Sequence, residues 1–138
     1  MIVLGEEILQ QLEEHARREE PKEACGILVG IKGEDKIVKK AYQCKNVDEH
    51  PETNYRIDAG DQIRIFEEIE EGEFELIGFY HSHPMGLHAP SSIDTGRATW
   101  PGYSYVIVSL SDGVTFSSWV WSEDEGKFIE ESLKESTE

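Results

Sequence analysis

The hydrophobic positions along this chain change period several times, and each change marks a predicted element. Ile8, Leu9, Leu12 and Ala16 recur at helical spacing, which predicts a helix over 5–20 that Pro21 stops. Ala24-Cys25-Gly26-Ile27-Leu28-Val29-Gly30 is a continuous apolar run, short enough for a buried strand. Gly33-Glu34-Asp35 reads as a turn into a second strand over 36–43. A polar loop covers 46–53, and 54–57 reads as a short strand or extended segment. Ile63, Phe66 and Ile69 predict a second helix over 59–71, ended by Gly72. Leu76-Ile77-Gly78-Phe79-Tyr80 is the next strand, and it runs directly into two histidines. A loop leads to Asp94, where 94–99 reads as a short helix. The segments 103–110 and 114–121 form a hairpin around Asp112-Gly113, and a last short strand covers 127–129 before a charged tail. The sum is an α/β fold, a mixed, mainly antiparallel sheet flanked by helices, in a single domain spanning 1–138 with no repeat or linker.

Charge narrows the partners. A formal net charge of −16 repels phosphates, so nucleic acid is excluded. A basic protein partner fits the charge, but plain solubility accounts for it equally well. Most of the acids are Glu, a weak pointer towards a thermophilic source. No apolar run approaches the roughly 18 residues of a membrane span. The N-terminal Met1-Ile2-Val3-Leu4-Gly5-Glu6-Glu7 lacks the basic region of a secretory signal, so the cytoplasm is the expected location.

Cys25 and Cys44 are too few for a cysteine-built metal site. A hairpin turning at Glu34-Asp35 places them opposite each other, where a cross-strand disulfide is geometrically allowed. Two free, buried thiols are the commoner outcome for such a pair.

The candidate chemistry lies in His81-Ser82-His83-Pro84-Met85-Gly86-Leu87-His88-Ala89-Pro90-Ser91-Ser92-Ile93-Asp94. Side chains two apart on a strand share a face, so His81 and His83 project to one side. A carboxylate brought back by the loop would complete three ligands of a catalytic zinc, leaving one position open for water. Such an ion lowers the pKa of its water to about 7, which suits hydrolysis of an acyl bond. Ser91-x-x-Asp94 equally matches a helix capping box, with no metal involved. The two readings are compatible. Among the remaining candidates, His88 reads as a solvated loop residue, and His15 and His50 receive no role. Trp119 and Trp121 share a strand face suited to packing under a helix or to a partner, and 54–57 offers an edge for an extended peptide.

His81-x-His83-Pro84, six residues, then Ser91-x-x-Asp94 resembles the signature of the JAMM metalloproteases, the active members of the MPN domain family. Ile77-Gly78-Phe79-Tyr80, Tyr105-Val106-Ile107-Val108-Ser109 and Glu23-Ala24-Cys25-Gly26-Ile27-Leu28-Val29-Gly30 are similar to the same family, so the resemblance covers roughly residues 5–130. It implies a cytidine-deaminase-like architecture and one Zn2+ held by His81, His83 and Asp94. It makes Glu23 the general base and later proton donor to the leaving amine, and gives Ser91 a hydrogen bond to the water or the oxyanion. It further implies cleavage after the C-terminal Gly-Gly of a ubiquitin-like modifier, with the modifier and its conjugated target proteins as partners. A second branch of the family releases a C-terminal amino acid such as cysteine from a sulfur-carrier protein of the same fold. A third possibility of another class is a non-catalytic MPN binding module. Nothing in the sequence specifies substrate-binding residues or an oligomeric state.

Overall fold

The computed structural model describes residues 1–85, 88–91, 94 and 100–136. The chain runs β1 (Ile2–Gly5), α1 (Glu6–Glu19), β2 (Cys25–Lys32), β3 (Lys36–Cys44), α2 (Ala59–Glu71), β4 (Glu75–His83), β5 (Ser104–Ser109), β6 (Thr115–Ser122), β7 (Lys127–Glu131) and β8 (Leu133–Ser136). One sheet takes all the strands in the order β7-β6-β5-β4-β2-β3-β1-β8. Pairings β1/β3, β1/β8 and β4/β5 are parallel and the rest antiparallel, so the sheet is mixed and mainly antiparallel, as the sequence predicts. The expected helix over 94–99 falls outside the described residues except for Asp94 itself.

β7 and β8 are the two edges of this sheet, yet only Ser132 separates them in sequence. The sheet must therefore curl until its edges approach. A polar knot closes the seam: Lys36 Nζ lies 2.9 Å from Glu131 Oε2, while the Ser104 and Ser118 hydroxyls donate to Glu131 Oε1 at 2.7 and 2.8 Å. Burial alone would raise the Glu131 carboxyl, but Lys36 and the two hydroxyls hold it below its ordinary range.

Each sheet face is covered by one helix. α1 buries Ile8, Leu9, Leu12 and Ala16 against Leu28, Val38, Tyr80, Val106 and Val108. Its own ends agree with the helix dipole, with Glu6 and Glu7 in the first turn and Arg17 and Arg18 in the last. His15, which the sequence leaves without a role, is buried here with Nδ1 2.8 Å from the Tyr80 hydroxyl. α2 covers the opposite face. Asp58 caps it by accepting from Asp61 N–H at 3.0 Å, and Asp61 accepts from Lys45 N–H at 2.9 Å, tying the helix start to the end of β3.

The apolar stripe of α2 differs from the expected Ile63, Phe66 and Ile69. Ile65 is fully buried, with Phe66 and Ile69 packed beside it, whereas Ile63 is 61% exposed. Ile65 and Phe66 lie four and three residues before Ile69, so the three share the face that meets Phe79 and Tyr105, and burial rather than spacing excludes Ile63. The segment 54–57, expected as a short strand or an extended segment, makes an isolated bridge, Asn46 to Ile57. β1 and β8 have no counterpart among the predicted elements. Trp121 packs edge-on against Phe128 of β7 at 5.2 Å, where packing under a helix was expected.

Cys25 and Cys44 are directly paired across β2 and β3, and both are free and buried. Burial raises both thiols, Cys44 to about 12, so neither carries thiolate near neutral pH.

Gly78, like Gly30, marks a very close backbone approach in the sheet. A Cβ there would fall on the backbone carbonyl of Ser104, which cannot swing aside as a side chain can. Gly78→Ala is expected to cost about 2–4 kcal/mol, by analogy with overpacked cores. Urea unfolding checks this, and an unchanged midpoint would contradict the close β4/β5 contact.

Candidate metal centre

The centre forms where the β2/β4 ladder ends. Cys25 pairs with His81, so extending the antiparallel register by two residues sets Glu23 opposite His83. Alternation then puts Glu23, His81 and His83 on one face. Ser82 lies between the histidines, fully buried, and its side chain serves the backbone. Its Oγ accepts from Ala24 N–H at 2.7 Å, and its own N–H donates to Ala24 C=O at 3.0 Å. The residue following Glu23 is thus bolted to the residue between the two histidines.

Glu23 itself is held by its main chain. Its N–H donates to Pro51 C=O at 2.7 Å, and its C=O accepts from Asn46 Nδ2 at 2.9 Å. Asp94 is fixed by a reciprocal pair: Asp94 N–H donates to Ser91 Oγ at 3.1 Å, and Ser91 N–H donates to Asp94 Oδ2 at 2.9 Å. That is the capping box the spacing suggested, and it presents the carboxylate to the histidines. The capping-box reading of Ser91-x-x-Asp94 is met, and it is compatible with the metal reading.

His81 Nε2, His83 Nε2 and Asp94 Oδ2 stand 3.1 Å from one another on all three edges. Ligand atoms on tetrahedral zinc are separated by about 3.3 Å, given bond lengths of 2.0–2.1 Å. Two imidazole nitrogens at such a separation are poorly served by one shared carboxylate oxygen. A cation resolves the conflict, because all three lone pairs can face it. Glu23, His81, His83 and Asp94 are all buried, and one ligand atom from each lies within 4.8 Å of the others. This donor set therefore fits a metal, and it gathers every ligand and base candidate singled out in the sequence. Ser91 adjoins it through Asp94, and its hydroxyl hydrogen is not used in the bond from Asp94 N–H.

The electrostatics divide the two carboxyls. Burial pushes the Glu23 carboxyl up to about 8; His83 opposes this, while Asp94 and Asp48 add to it. Glu23 Oε1 has no hydrogen-bond partner among the described residues. Burial would raise Asp94 as well, but His81, hydrogen bonds from both histidines and the Ser91 N–H hold it well below the carboxylate range. Burial lowers His81, outweighing Asp94, and so favours the neutral imidazole that a metal requires.

Sequence reasoning missed Ser82, Asn46 and Tyr55. Tyr55 stacks on His81 with ring centroids 4.4 Å apart and planes 20° apart. Asn46 organises the 46–57 loop. Position 82 was marked in sequence only by standing between the histidines. His88 is exposed as expected, yet it anchors the metal loop to β6: its Nδ1 lies 2.7 Å from Thr115 Oγ1, and its C=O accepts from Ser117 Oγ at 2.8 Å. His50 is exposed and contributes nothing to the cluster.

Glu23 makes the metal-free protein sensitive to pH. From its ordinary 4.5 up to about 8, an unfolded chain loses this proton while the folded chain keeps it. Stability from this group therefore falls as pH rises through that window. In chelator-treated protein, Glu23→Gln is expected to exceed the parent by on the order of a few kcal/mol at pH 8, with the gap closing by about pH 4. Urea unfolding at several pH values measures the gap, and parallel curves across the range would contradict the burial of an ionisable Glu23.

The family described as prokaryotic homologs of the JAB domain matches residues 5–122. The chain is similar to the "Desampylase" of Haloferax volcanii, 37% identical over 116 residues that cover 84% of this chain and 83% of that protein. It is also similar to the "CysO-cysteine peptidase" of Mycobacterium tuberculosis, 34% identical over 81% of this chain and 75% of that one. The "Probable TtuB-protein conjugate cleaving protease" of Thermus thermophilus is 32% identical over 78% of this chain and 68% of its own length. Among solved structures, a Desulfitobacterium hafniense protein superposes with a TM-score of 0.89 at 30% identity, covering 100% of this chain and 94% of that one. A JAB1/MPN domain protein from Archaeoglobus fulgidus shares the fold, with a TM-score of 0.62 at 19% identity over 99% of each chain. By the extent of the family match and by these relatives, the chain belongs to the prokaryotic branch of the JAB, or JAMM/MPN, domain family.

Proposed function

We propose that this chain works in the cytoplasm as a single-domain zinc isopeptidase, hydrolysing the bond between the C-terminal Gly-Gly of a ubiquitin-like modifier and a conjugated target protein. The observation that carries this reading is Glu23. A buried carboxyl with an unpartnered oxygen faces a triangle of two imidazoles and one carboxylate, and a purely structural cluster would have no use for it. The relatives named for desampylation and for cleavage of TtuB conjugates support the substrate class.

His81, His83 and Asp94 hold the ion in this reading. A bound zinc supplies Lewis-acid polarisation of the scissile carbonyl and lowers the pKa of water to about 7. Beside an ion held there, Glu23 would ionise at neutral pH. As carboxylate, Glu23 takes the proton from the attacking water and later returns it to the leaving lysine amine. Ser91 Oγ, already accepting from Asp94 N–H, still has its hydroxyl hydrogen to donate to the oxygen that gains charge. Tyr55 and the surrounding strands exclude bulk water from one side of His81. Among the described residues no helix is long and apolar enough to cross a membrane.

A second reading is favoured by the CysO-cysteine peptidase relative: release of a C-terminal cysteine from a sulfur-carrier protein by the same residues. Incubation of the zinc-loaded protein with a modifier–lysine conjugate and with a carrier–cysteine adduct separates the two. Release of free cysteine alone would overturn the isopeptidase reading.

Glu23→Ala is expected to keep zinc and lose at least about a hundredfold in turnover, the usual contribution of a general base. His83→Ala should lose both metal and activity, because only two protein ligands remain. Metal content by mass spectrometry and cleavage of a conjugate check both. A wild-type chain without zinc, and a Glu23→Ala variant as active as the parent, would favour a non-catalytic binding module. Activity should also fall below neutral pH as the histidines and Glu23 take up protons, and a flat rate from about pH 5 to 8 would count against the mechanism.

A further inference from the structure

Outside the ligand cluster, Asn46 uses all the hydrogen-bonding capacity its amide has. Nδ2 donates to Glu23 C=O at 2.9 Å and to Asn54 C=O at 3.0 Å. Oδ1 accepts from Asp48 N–H at 3.1 Å and Arg56 N–H at 3.0 Å. Two donors and two lone pairs are the whole inventory of this side chain. The loop it organises has only the Asn46–Ile57 bridge, with backbone bonds from Val47 N–H to Arg56 C=O at 2.9 Å and from Asp58 N–H to Lys45 C=O at 3.0 Å, and this amide adds four more bonds across it.

The two carbonyls it binds lead to different halves of the site. One belongs to Glu23. The other belongs to Asn54, whose successor Tyr55 lies flat on the His81 ring. A metal-binding imidazole is ordinarily oriented by a hydrogen bond from its second nitrogen. His81 Nδ1 is buried and has no such partner among the described residues. Beyond the Nε2 contacts with His83 and Asp94, the orientation of this ring rests on stacking, so whatever fixes Tyr55 also bears on His81.

We propose that Asn46 is a positioning residue that sets both Glu23 and, through Asn54 and Tyr55, the His81 ring, so that one amide aligns the proton-handling and metal-binding halves. The proposal rests on the zinc peptidase reading above. Removing the amide leaves Glu23 C=O and Asn54 C=O without their donor, and the loop shifts at both places together. No contact between Asn46 and the substrate or the ion is involved.

The test is made on the full chain, first without substrate. Zinc affinity is read by competition with a chromophoric chelator. Asn46→Ala and Tyr55→Leu should each weaken zinc about tenfold, the lower end of the effect of outer partners at metal sites. Tyr55→Phe, which keeps the ring, should stay within about twofold of the parent on the same scale. The double variant Asn46→Ala/Tyr55→Leu should bind no more weakly than the worse single one, because both act through the same ring. With zinc saturating, Asn46→Ala should lower kcat about tenfold and leave KM within about twofold, as expected when Glu23 is displaced and substrate binding is not. Parent-like zinc affinity in Asn46→Ala and Tyr55→Leu, or fully multiplied losses in the double variant, would overturn the proposal. If Asn46→Ala fails to fold, the Tyr55→Leu and Tyr55→Phe pair decides: equal affinities overturn it, and loss with Leu alone supports it. A parent that binds no zinc would sink the peptidase reading itself, whereas an active zinc-bound parent with indifferent variants would sink only this inference.

Discussion

The pairing of β2 with β4 is the constraint on which the rest of the molecule depends. It places Cys25 beside His81, and Ser82 clamps Ala24 from both its N–H and its hydroxyl. Two residues further along, where regular pairing has ended, the same register delivers Glu23 to His83. The two functional segments are almost sixty residues apart in sequence, so local interactions cannot align them. A one-residue slip would turn Glu23 to the α1 face, away from the histidines. The surrounding sheet makes that slip costly. β2 and β4 are central strands with apolar side chains committed on both faces, and the β2 glycines admit no side chain where Tyr80 and the β3 backbone press against them.

This explains which parts of the fold are legible in the sequence. α1, β2 and β4 each bury a face against a large core, so their apolar periods are written into the residues. β1 is four residues long and runs straight into α1, too short for its Ile2 and Leu4 to show a period of their own. β8 carries Lys134 and Glu135, and its place comes from parallel pairing with β1 rather than from burial of its own. Neither strand has enough apolar residues to announce itself. Ile63 misled for the opposite reason: it is apolar and at helical spacing from Phe66, yet it faces solvent. A single exposed isoleucine is tolerated, whereas a displaced stripe is not.

The site was legible to the same degree that its residues carry chemistry. His81, His83 and Asp94 declare themselves by type and spacing, and the structure gathers them. Glu23 does not, in a chain so rich in glutamate; only the family resemblance singled it out. The register supplies the physical reason, because Glu23 sits two residues before a cysteine that pairs with His81. Ser82, Asn46 and Tyr55 were missed because their work is with backbone groups and ring faces. The partners of Asn46 and Tyr55 are set by a loop without periodic pattern, where sequence spacing says little about contact, and that of Ser82 by the β2/β4 register. Residues that position others leave a weaker trace than residues that react.

The two buried carboxyls show how far positioning alone can set chemical state. Glu23 and Asp94 lie in one small cluster, and burial by itself pushes both carboxyls up. Asp94 escapes because the Ser91 N–H and two imidazoles face its oxygen, and the capping box guarantees the first of these donors whether or not an ion is bound. Glu23 has no donor on Oε1 among the described residues, so it keeps its proton until a cation alters the field. Environments that drive two like groups apart are how one fold separates ligand from base. The helix-capping geometry, which from spacing alone competed with the metal reading, adds to the histidines in keeping Asp94 charged. Plain backbone chemistry at Ser91 and an orphaned oxygen at Glu23 thus assign opposite roles to two side chains that the amino-acid alphabet hardly distinguishes.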